Sequence, residues 1–194
     1  LDRKVVHFAY FYLLWAAIEL ALKTPDFVAE GGAAAALREY ALALVQPYGS
    51  LWFIYMLPVF FVFTRLVKGL PVWFVLAWAA LLEMLPVHTG FVIFDEFCQR
   101  YVFFFGGYVF ATHIFAIAAW MGAHKAAALA LVAAWLVVNG AIVFAPVPDA
   151  LQLVNFGNNG FAGMPVISLV LGTVGALGIV TVATLLTDLP WTRW

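Results

Sequence analysis

Residues 95–113 read DEFCQRYVFFFGGYVFATH, a stretch in which charged and aromatic residues meet within a largely apolar chain. A charged head with Asp95, Glu96 and Arg100 runs into an aromatic span that contains two adjacent glycines and ends at His113. An ionisable side chain at the centre of a bilayer costs about 2.5–3.5 kcal/mol on insertion scales, so polar groups within such a span need a reason. The stretch therefore predicts a membrane helix whose polar groups have either a functional or a structural role.

The composition outside this stretch is also that of a membrane protein. The chain has 194 residues, of which 66% are hydrophobic and only 10% are charged, whereas a soluble domain has about 25% charged residues. Lipid is therefore the expected solvent for most of the chain. A net charge of -1 provides no basic surface for nucleic acid. Cys98 has no partner cysteine, and the four histidines show no metal-ligating spacing, so no metal site is predicted.

Six apolar runs are long enough to be membrane helices, since a span needs about 20 mainly apolar residues. The predicted spans are residues 5–22, 51–67, 72–87, 100–120, 126–145 and 164–187. The expected fold is an all-α polytopic transmembrane helical bundle of about six spans, forming a single domain over residues 1–194.

The connection between the first two spans contains a further helical pattern. Pro25, Gly31 and Gly32 predict a break early in this connection. Residues 33–45 then predict a helix that is too short to span comfortably and lies at the membrane interface, with a re-entrant piece as the alternative. A true crossing by this segment would invert the topology of everything after it.

The distribution of basic residues predicts the orientation in the membrane. With six spans, one side holds Arg3, Lys4, Arg65, Lys68, Lys125 and Arg193, and the other holds Lys23, Arg38 and Arg100. Cytoplasmic loops carry the excess of Lys and Arg, so both chain ends are expected to be cytoplasmic.

Several polar side chains fall at the outer ends of the predicted spans and could form one outward-facing patch. They are Glu19, Glu83, His88, Asp95, Glu96 and Arg100. Carboxylates beside an arginine can bind a hydroxyl-rich ligand or supply a general base. The alternative is that they are ordinary interfacial residues, solvated or placed at helix starts that favour acids.

His113 lies deeper in the predicted fourth span. At 100° per residue, Phe103, Gly106, Phe110 and His113 share one helix face. Gly106 predicts close packing of this face against another helix, so that His113 points into the bundle. An interhelical hydrogen bond and a role in proton transfer are both compatible with that position. Arg100 lies about 140° away on the same predicted helix, so Arg100 and His113 are not expected to share a pocket.

Three glycines give the last predicted span a stripe of small residues. Gly172, Gly175 and Gly178 recur every third position. Small residues let membrane helices approach closely, so this stripe predicts a packing surface rather than a chemical site.

Two motifs together resemble a known family. Residues 49–58 read GSLWFIYMLP, and residues 100–108 read RYVFFFGGY after the Asp-Glu-Phe of residues 95–97. Their order and spacing are similar to those of the integral-membrane acyltransferase family (acyltransferase 3), bacterial proteins that O-acylate surface and periplasmic glycans. Residues 2–11, DRKVVHFAYF, also resemble a middle segment of that family. The resemblance covers most of this chain but only the later part of the family's fold.

The resemblance implies a membrane O-acyltransferase of the bacterial inner membrane, which moves an acyl group from cytoplasmic acyl-CoA to a hydroxyl of a cell-envelope carbohydrate. It implies no bound cofactor, with acyl-CoA as co-substrate. The residues expected to bind substrate are Glu83, Asp95, Glu96 and Arg100 on the acceptor side and His113 near the acyl path. The family's catalytic histidine and arginines lie in earlier spans with no counterpart here. The chain is therefore expected to be the C-terminal part of a larger protein, with its catalytic residue unknown.

A second class of function is also compatible with the sequence. The chain could be a transporter or exporter in which Glu19, Glu83 and His113 form a polar relay for coupling ions. A noncatalytic membrane scaffold is a third possibility.

Overall fold

The computed structural model describes residues 2–47, 51–85, 87–146 and 161–187, and this part of the chain is entirely helical or connecting. Its elements are α1 (Asp2–Ala43), α2 (Trp52–Leu66), a 3₁₀ helix (Val67–Gly69), α3 (Val72–Met84), α4 (Val92–Val109), α5 (Ala111–Ala123), α6 (Lys125–Val143) and α7 (Pro165–Leu186). The all-α prediction is confirmed. Residues 147–160, between the last two predicted spans, and residues 188–194 lie outside the described residues.

The described helices identify an integral membrane protein in contact with the lipid bilayer. Four candidate spans meet the length and apolarity of a crossing helix: Arg3–Ala29, Trp52–Gly69, Lys125–Val143 and Pro165–Leu186. The bent pair Val92–Val109 and Ala111–Ala123 makes a fifth if it counts as one span. The sequence predicts about six spans because residues 72–87 form an apolar run that looks like one of them. Helix α3 has only 13 residues, and at about 1.5 Å per residue it is shorter than a hydrocarbon core of about 30 Å.

Helix α1 continues through Pro25, so the expectation that this proline helps to break the helix is wrong. A proline inside a membrane helix is tolerated when neighbouring groups satisfy the backbone that it disturbs. The break comes at Gly31 and Gly32 instead. Gly32 has φ 72°, a left-handed conformation that favours glycine. The two glycines therefore divide α1 into two limbs.

The second limb of α1, which contains most of the predicted interfacial helix over residues 33–45, returns to the first limb. The Tyr12 hydroxyl donates a hydrogen bond to the Ala43 carbonyl. The hydroxyls of Thr24 and Tyr40 lie 3.0 Å apart. These contacts join the two limbs across the glycine break, so the second limb is held by side chains of the first.

The chain falls into two compact units. Unit 1 comprises Leu1–Val75 and Val87–Tyr101, and unit 2 comprises Leu76–Pro86 and Val102–Trp194. In unit 1, α1 packs against α2. Its buried side chains include Met56, Phe60, Cys98 and Tyr101.

In unit 2, α5 and α6 both pack against α7. The small-residue stripe on α7 forms the contact surface, as the sequence predicted. A methyl group built on Gly175 would lie 3.3 Å from the Trp135 ring, and one on Gly172 would lie 2.5 Å from Cζ of Phe103. The missing side chains therefore make room for aromatic rings from α6 and α4.

Candidate functional site

The predicted fourth span is two helices rather than one. Helices α4 and α5 are bent by 76° at a break, where Phe110 leaves the regular helical conformation with φ -95° and ψ 14°. The prediction of one continuous helix over residues 100–120 is therefore wrong. Arg100 belongs to unit 1 and His113 to unit 2, so an angle calculated along one straight helix does not describe this pair.

Asp95 holds the turn that precedes α4. The Thr89 amide and hydroxyl donate to Oδ1 of Asp95 at 2.9 and 2.8 Å, and the Gly90 amide donates to Oδ2 at 3.1 Å. Gly90 has φ 80°, which the turn needs at this point. Acids at a helix start are stabilised by such amides. Three donors on one carboxylate favour a structural role for Asp95 over substrate binding.

Glu96 and Arg100 form an ion pair one helical turn apart on α4. Arg100 Nε donates to Glu96 Oε2, and the guanidinium carbon lies 4.3 Å from the ring centroid of Trp52. The Arg100 side chain is 46% exposed. Within the described residues, its two terminal nitrogens make no hydrogen bond, so they keep the capacity to bind an external hydroxyl.

Glu83 contacts α7 near the end of α3. The Ser168 hydroxyl lies 2.7 Å from Glu83 Oε1 and 3.0 Å from the Pro165 carbonyl oxygen. Glu83 Oε2 is buried and has no hydrogen-bond partner in the described part of the chain. Because Ser168 has one proton, it can donate fully to only one of these two acceptors.

Glu19, the third residue of the alternative relay, lies in unit 1 and pairs with Lys23 of its own helix at 3.1 Å. Glu83 and His113 belong to unit 2. The Glu19 carboxylate is thus neutralised by a neighbouring lysine, and this local pair does not favour a relay.

An open apolar cavity of ≈600 Å³ lies within unit 2. Helices α3, α4, α5 and α7 and the residue at the α4–α5 break supply its walls. The lining residues are Leu76, Ala80, Val102, Phe103, Gly106, Gly107, Phe110, His113, Ile114, Ile117, Leu169, Thr173, Ala176 and Leu177. This volume lies within the range of about 300–1,000 Å³ that is typical of small-molecule sites. We call it the unit 2 cavity.

The helix face predicted from the sequence lines this cavity. Phe103, Gly106, Phe110 and His113 are all wall residues, although the helix bends between the first and the last of them. The predicted close packing at Gly106 is wrong, however, because a methyl group built on Gly106 or Gly107 would meet no atom within 4 Å. The two glycines open space rather than closing it.

Among the described residues, two that line the unit 2 cavity carry polar side chains. Thr173 donates its hydroxyl hydrogen bond to the Leu169 carbonyl at 2.8 Å. His113 is exposed, and its Nδ1 lies 3.5 Å from Thr112 Oγ1, which is too long for a strong hydrogen bond. Within the described residues, His113 Nε2 has no hydrogen-bond partner. His113 is therefore the polar group of this wall with free capacity for a ligand.

Sequence reasoning missed the contribution of α7 to the cavity. Leu169, Thr173, Ala176 and Leu177 all line it, and their spacing is that of one helical face. A helix that is apolar on every side has no periodicity to mark such a face. Thr173 is one of several hydroxyl residues in this uncharged span, so it does not mark the face by itself.

The five predicted substrate-binding residues are divided between the units. Asp95, Glu96 and Arg100 lie in unit 1, and Glu83 and His113 lie in unit 2. Their roles toward substrate stay predictions. In the part of the chain that the structure describes, no group of three or more His, Cys, Asp or Glu residues could hold a metal ion. Comparison with protein-family models, curated proteins and solved structures gave no match.

Proposed function

We propose that this chain forms the acyl-binding part of a membrane O-acyltransferase, which moves an acyl group from acyl-CoA to a hydroxyl of a cell-envelope carbohydrate. The observation that carries the proposal is the unit 2 cavity, whose walls are apolar apart from Thr173 and His113. An acyl chain matches this pattern because it is a hydrocarbon with one polar end. The reaction class is inferred from the resemblance of residues 49–58 and 100–108 to the integral-membrane acyltransferase family.

The polar groups of the cavity give the bound chain a direction. The Thr173 hydroxyl is used by the Leu169 carbonyl, whereas His113 Nε2 is free within the described residues. A neutral imidazole with its proton on Nε2 can donate a hydrogen bond to the carbonyl oxygen of an acyl thioester. The carbonyl end of the acyl group then lies at His113, and the chain extends along the apolar wall.

The reaction exchanges one bond at the acyl carbon for another. The acceptor hydroxyl oxygen forms an ester bond to this carbon, the carbon–sulfur bond of acyl-CoA breaks, and the hydroxyl proton ends on the CoA thiol. We assign no catalytic residue within this chain. Its proposed part is to bind and position the acyl group, which lowers the barrier by fixing the reacting geometry.

The acceptor side of the proposal rests on Glu96 and Arg100 of unit 1. The predicted role of Glu83, which lies in unit 2, is a separate one. The terminal guanidinium nitrogens of Arg100 are planar donors suited to sugar hydroxyls. The guanidinium carbon lies over the Trp52 ring, 4.3 Å from its centroid. The proposed setting is the bacterial inner membrane. The Lys and Arg distribution predicts two cytoplasmic chain ends only for six spans, so that orientation does not carry over to the four or five candidate spans of the described residues.

The test is acyl transfer by the full-length protein in proteoliposomes with labelled acyl-CoA and a hydroxylated glycan acceptor. We expect His113→Ala to raise KM for acyl-CoA by about tenfold, since one hydrogen bond is worth about 1–1.5 kcal/mol. His113→Gln, which keeps a donor, should restore part of the affinity. His124→Ala is the matched control, because His124 does not line the cavity.

Two results would contradict the proposal. One is proton-dependent solute flux with no consumption of acyl-CoA, which is the behaviour of a transporter. The other is an unchanged KM in His113→Ala together with full transfer in both Arg100→Ala and Glu83→Gln.

A further inference from the structure

We infer that the acyl group is a long hydrocarbon chain rather than acetyl, and that Gly106 and Gly107 set the chain length that the unit 2 cavity accepts. This inference rests on the proposed function, because it names the donor class for the same site. Its physical basis is the space that these two glycines leave between two aromatic side chains of the cavity wall.

The size of the cavity excludes a good fit to a very short acyl group. The volume is ≈600 Å³, and an acetyl group would leave nearly all of it to lipid or water. A ligand gains affinity through its contacts with the walls of a site, and an acetyl group would contact few of these walls. A long chain fills the cavity, and a short one does not.

In a membrane, acyl chains of different length are distinguished by the volume of the cavity and not by its hydrophobicity. Lipid tails are as apolar as a leucine side chain, so a hydrocarbon chain that moves from the bilayer to the cavity gains no hydrophobic free energy. What differs between chain lengths is how well the walls contact the chain. The residues that set the free volume therefore set the preferred length.

Gly106 and Gly107 are the wall positions where added atoms would enter the cavity without a clash. A methyl group built on either one meets no atom within 4 Å, and both line the cavity. Phe103 precedes this pair by about one helical turn, and Phe110 follows it at the bend. The glycine pair is therefore a gap in an aromatic wall.

The Phe103 ring packs beside Gly172 on α7 and does not fill this gap. A methyl group built on Gly172 would lie 2.5 Å from Cζ of Phe103, so the ring occupies the space that a side chain on α7 would take. The absence of a side chain at Gly172 therefore lets the Phe103 ring pack against α7, and the space at Gly106 is open.

The experiment measures chain-length preference in the full-length protein in proteoliposomes. Acyl-CoAs of graded length compete with a photoreactive acyl-CoA for labelling, and the same series is assayed for transfer. In a close-packed site an added side chain excludes a similar volume of ligand. Gly106→Ala, Gly106→Val and Gly106→Leu should therefore shorten the preferred chain by about one, three and four carbons. Gly140→Leu is the matched control, because Gly140 also has open space around it but does not line the cavity.

A second variant covers the case in which Gly106→Leu does not fold. Phe110→Ala removes a ring from the wall and should lengthen the preferred chain. Transfer that continues with an unchanged length preference in all of these variants would overturn the inference and leave the proposed function standing. A shifted labelling preference with no transfer to any acceptor would support the length-setting role of the glycines and overturn the acyltransferase.

Discussion

The charged head of residues 95–100 and the unit 2 cavity contrast in how their side chains are used. In the head, the Asp95 carboxylate accepts three hydrogen bonds from the preceding turn, and Glu96 binds Arg100. In the cavity wall, Gly106 and Gly107 contribute no side chain, and His113 has unused hydrogen-bonding capacity. Polar residues that look functional in a sequence can have their hydrogen-bonding groups occupied by local structure. A ligand site needs unfilled space and groups without internal partners.

The largest stability effect that tests this contrast is expected at Gly172 on α7. Gly172→Ala places a methyl group 2.5 Å from Cζ of Phe103, so the ring has to shift. Overpacking of this kind costs up to about 1–3 kcal/mol, against a gain of about 0.5–1 kcal/mol from replacing a helix-interior glycine. Reversible denaturation in mixed micelles measures the cost. Gly178→Ala is the control, since its methyl group would lie 3.6 Å from Trp135. This control should show only the gain in stability of about 0.5–1 kcal/mol that comes from replacing a helix-interior glycine with alanine. Equal effects of the two substitutions would contradict the described packing of Phe103.

The next effect is expected at Asp95 in the charged head. Asp95→Ala removes the acceptor of three hydrogen bonds in the turn before α4, and loss of a capping group of this kind costs about 1 kcal/mol, with an upper range near 2. The same denaturation measurement applies, with Asp26→Ala as the control for loss of an acidic side chain on α1. If Asp95→Ala raised KM for the acceptor and left stability unchanged, Asp95 would be a ligand-binding residue and not a structural one.

A smaller effect is expected at Arg100. Its contact with Trp52 is worth about 0.5–1 kcal/mol at an exposed site, and its half-exposed ion pair with Glu96 adds a fraction of 1 kcal/mol. Arg100→Lys should keep most of this stability but lose the planar donors, so it should raise KM for the acceptor. Arg38→Ala on α1 controls for the loss of positive charge. Acceptor binding that is unaffected by Arg100→Lys would remove Arg100 from the proposed acceptor side.

The smallest stability effect is expected at His113, and a larger one is expected at His124. His113→Ala should change the free energy of unfolding by less than about 0.5 kcal/mol, since exposed side chains without strong partners contribute little. His124 donates from Nδ1 to the Trp120 carbonyl at 2.9 Å and stacks on the Trp120 ring at 4.6 Å, so His124→Ala should cost more. Only His113→Ala should weaken acyl binding. The opposite pattern would show that His113 is the structural histidine.

Much of the fold could be predicted from the sequence because hydrophobic runs are a direct signal of membrane helices. The first span, predicted at residues 5–22, lies within Arg3–Ala29, and the last, predicted at residues 164–187, corresponds to Pro165–Leu186. Pro25 was misleading because its effect on α1 depends on neighbouring groups. The bend at Phe110 was missed because an aromatic residue at that position carries no breaking signal.

The candidate site could be predicted only in part. The helical period correctly grouped Phe103, Gly106, Phe110 and His113, since a local periodicity survives a bend between helices. It could not show that Gly106 faces open space, because that depends on where α3 and α7 pack. The partner of Glu83 was also beyond prediction, because Ser168 is distant in the sequence and reaches Glu83 only through folding.

The most direct measurement of the central claim is to map where an acyl chain resides in the full-length protein. An acyl-CoA with a diazirine near the end of its chain is photolysed in proteoliposomes, and the labelled residues are identified by mass spectrometry. The account predicts labelling at Ile114, Ile117 and Leu177 of the cavity wall, in excess over Leu129 and Val137, which are 60% and 73% exposed on α6. It also predicts that Gly106→Leu reduces this excess for a long-chain probe, because the preferred chain becomes shorter. Equal labelling of the cavity wall and of α6 would mean that the chain meets this protein only as bulk lipid, and would contradict the account.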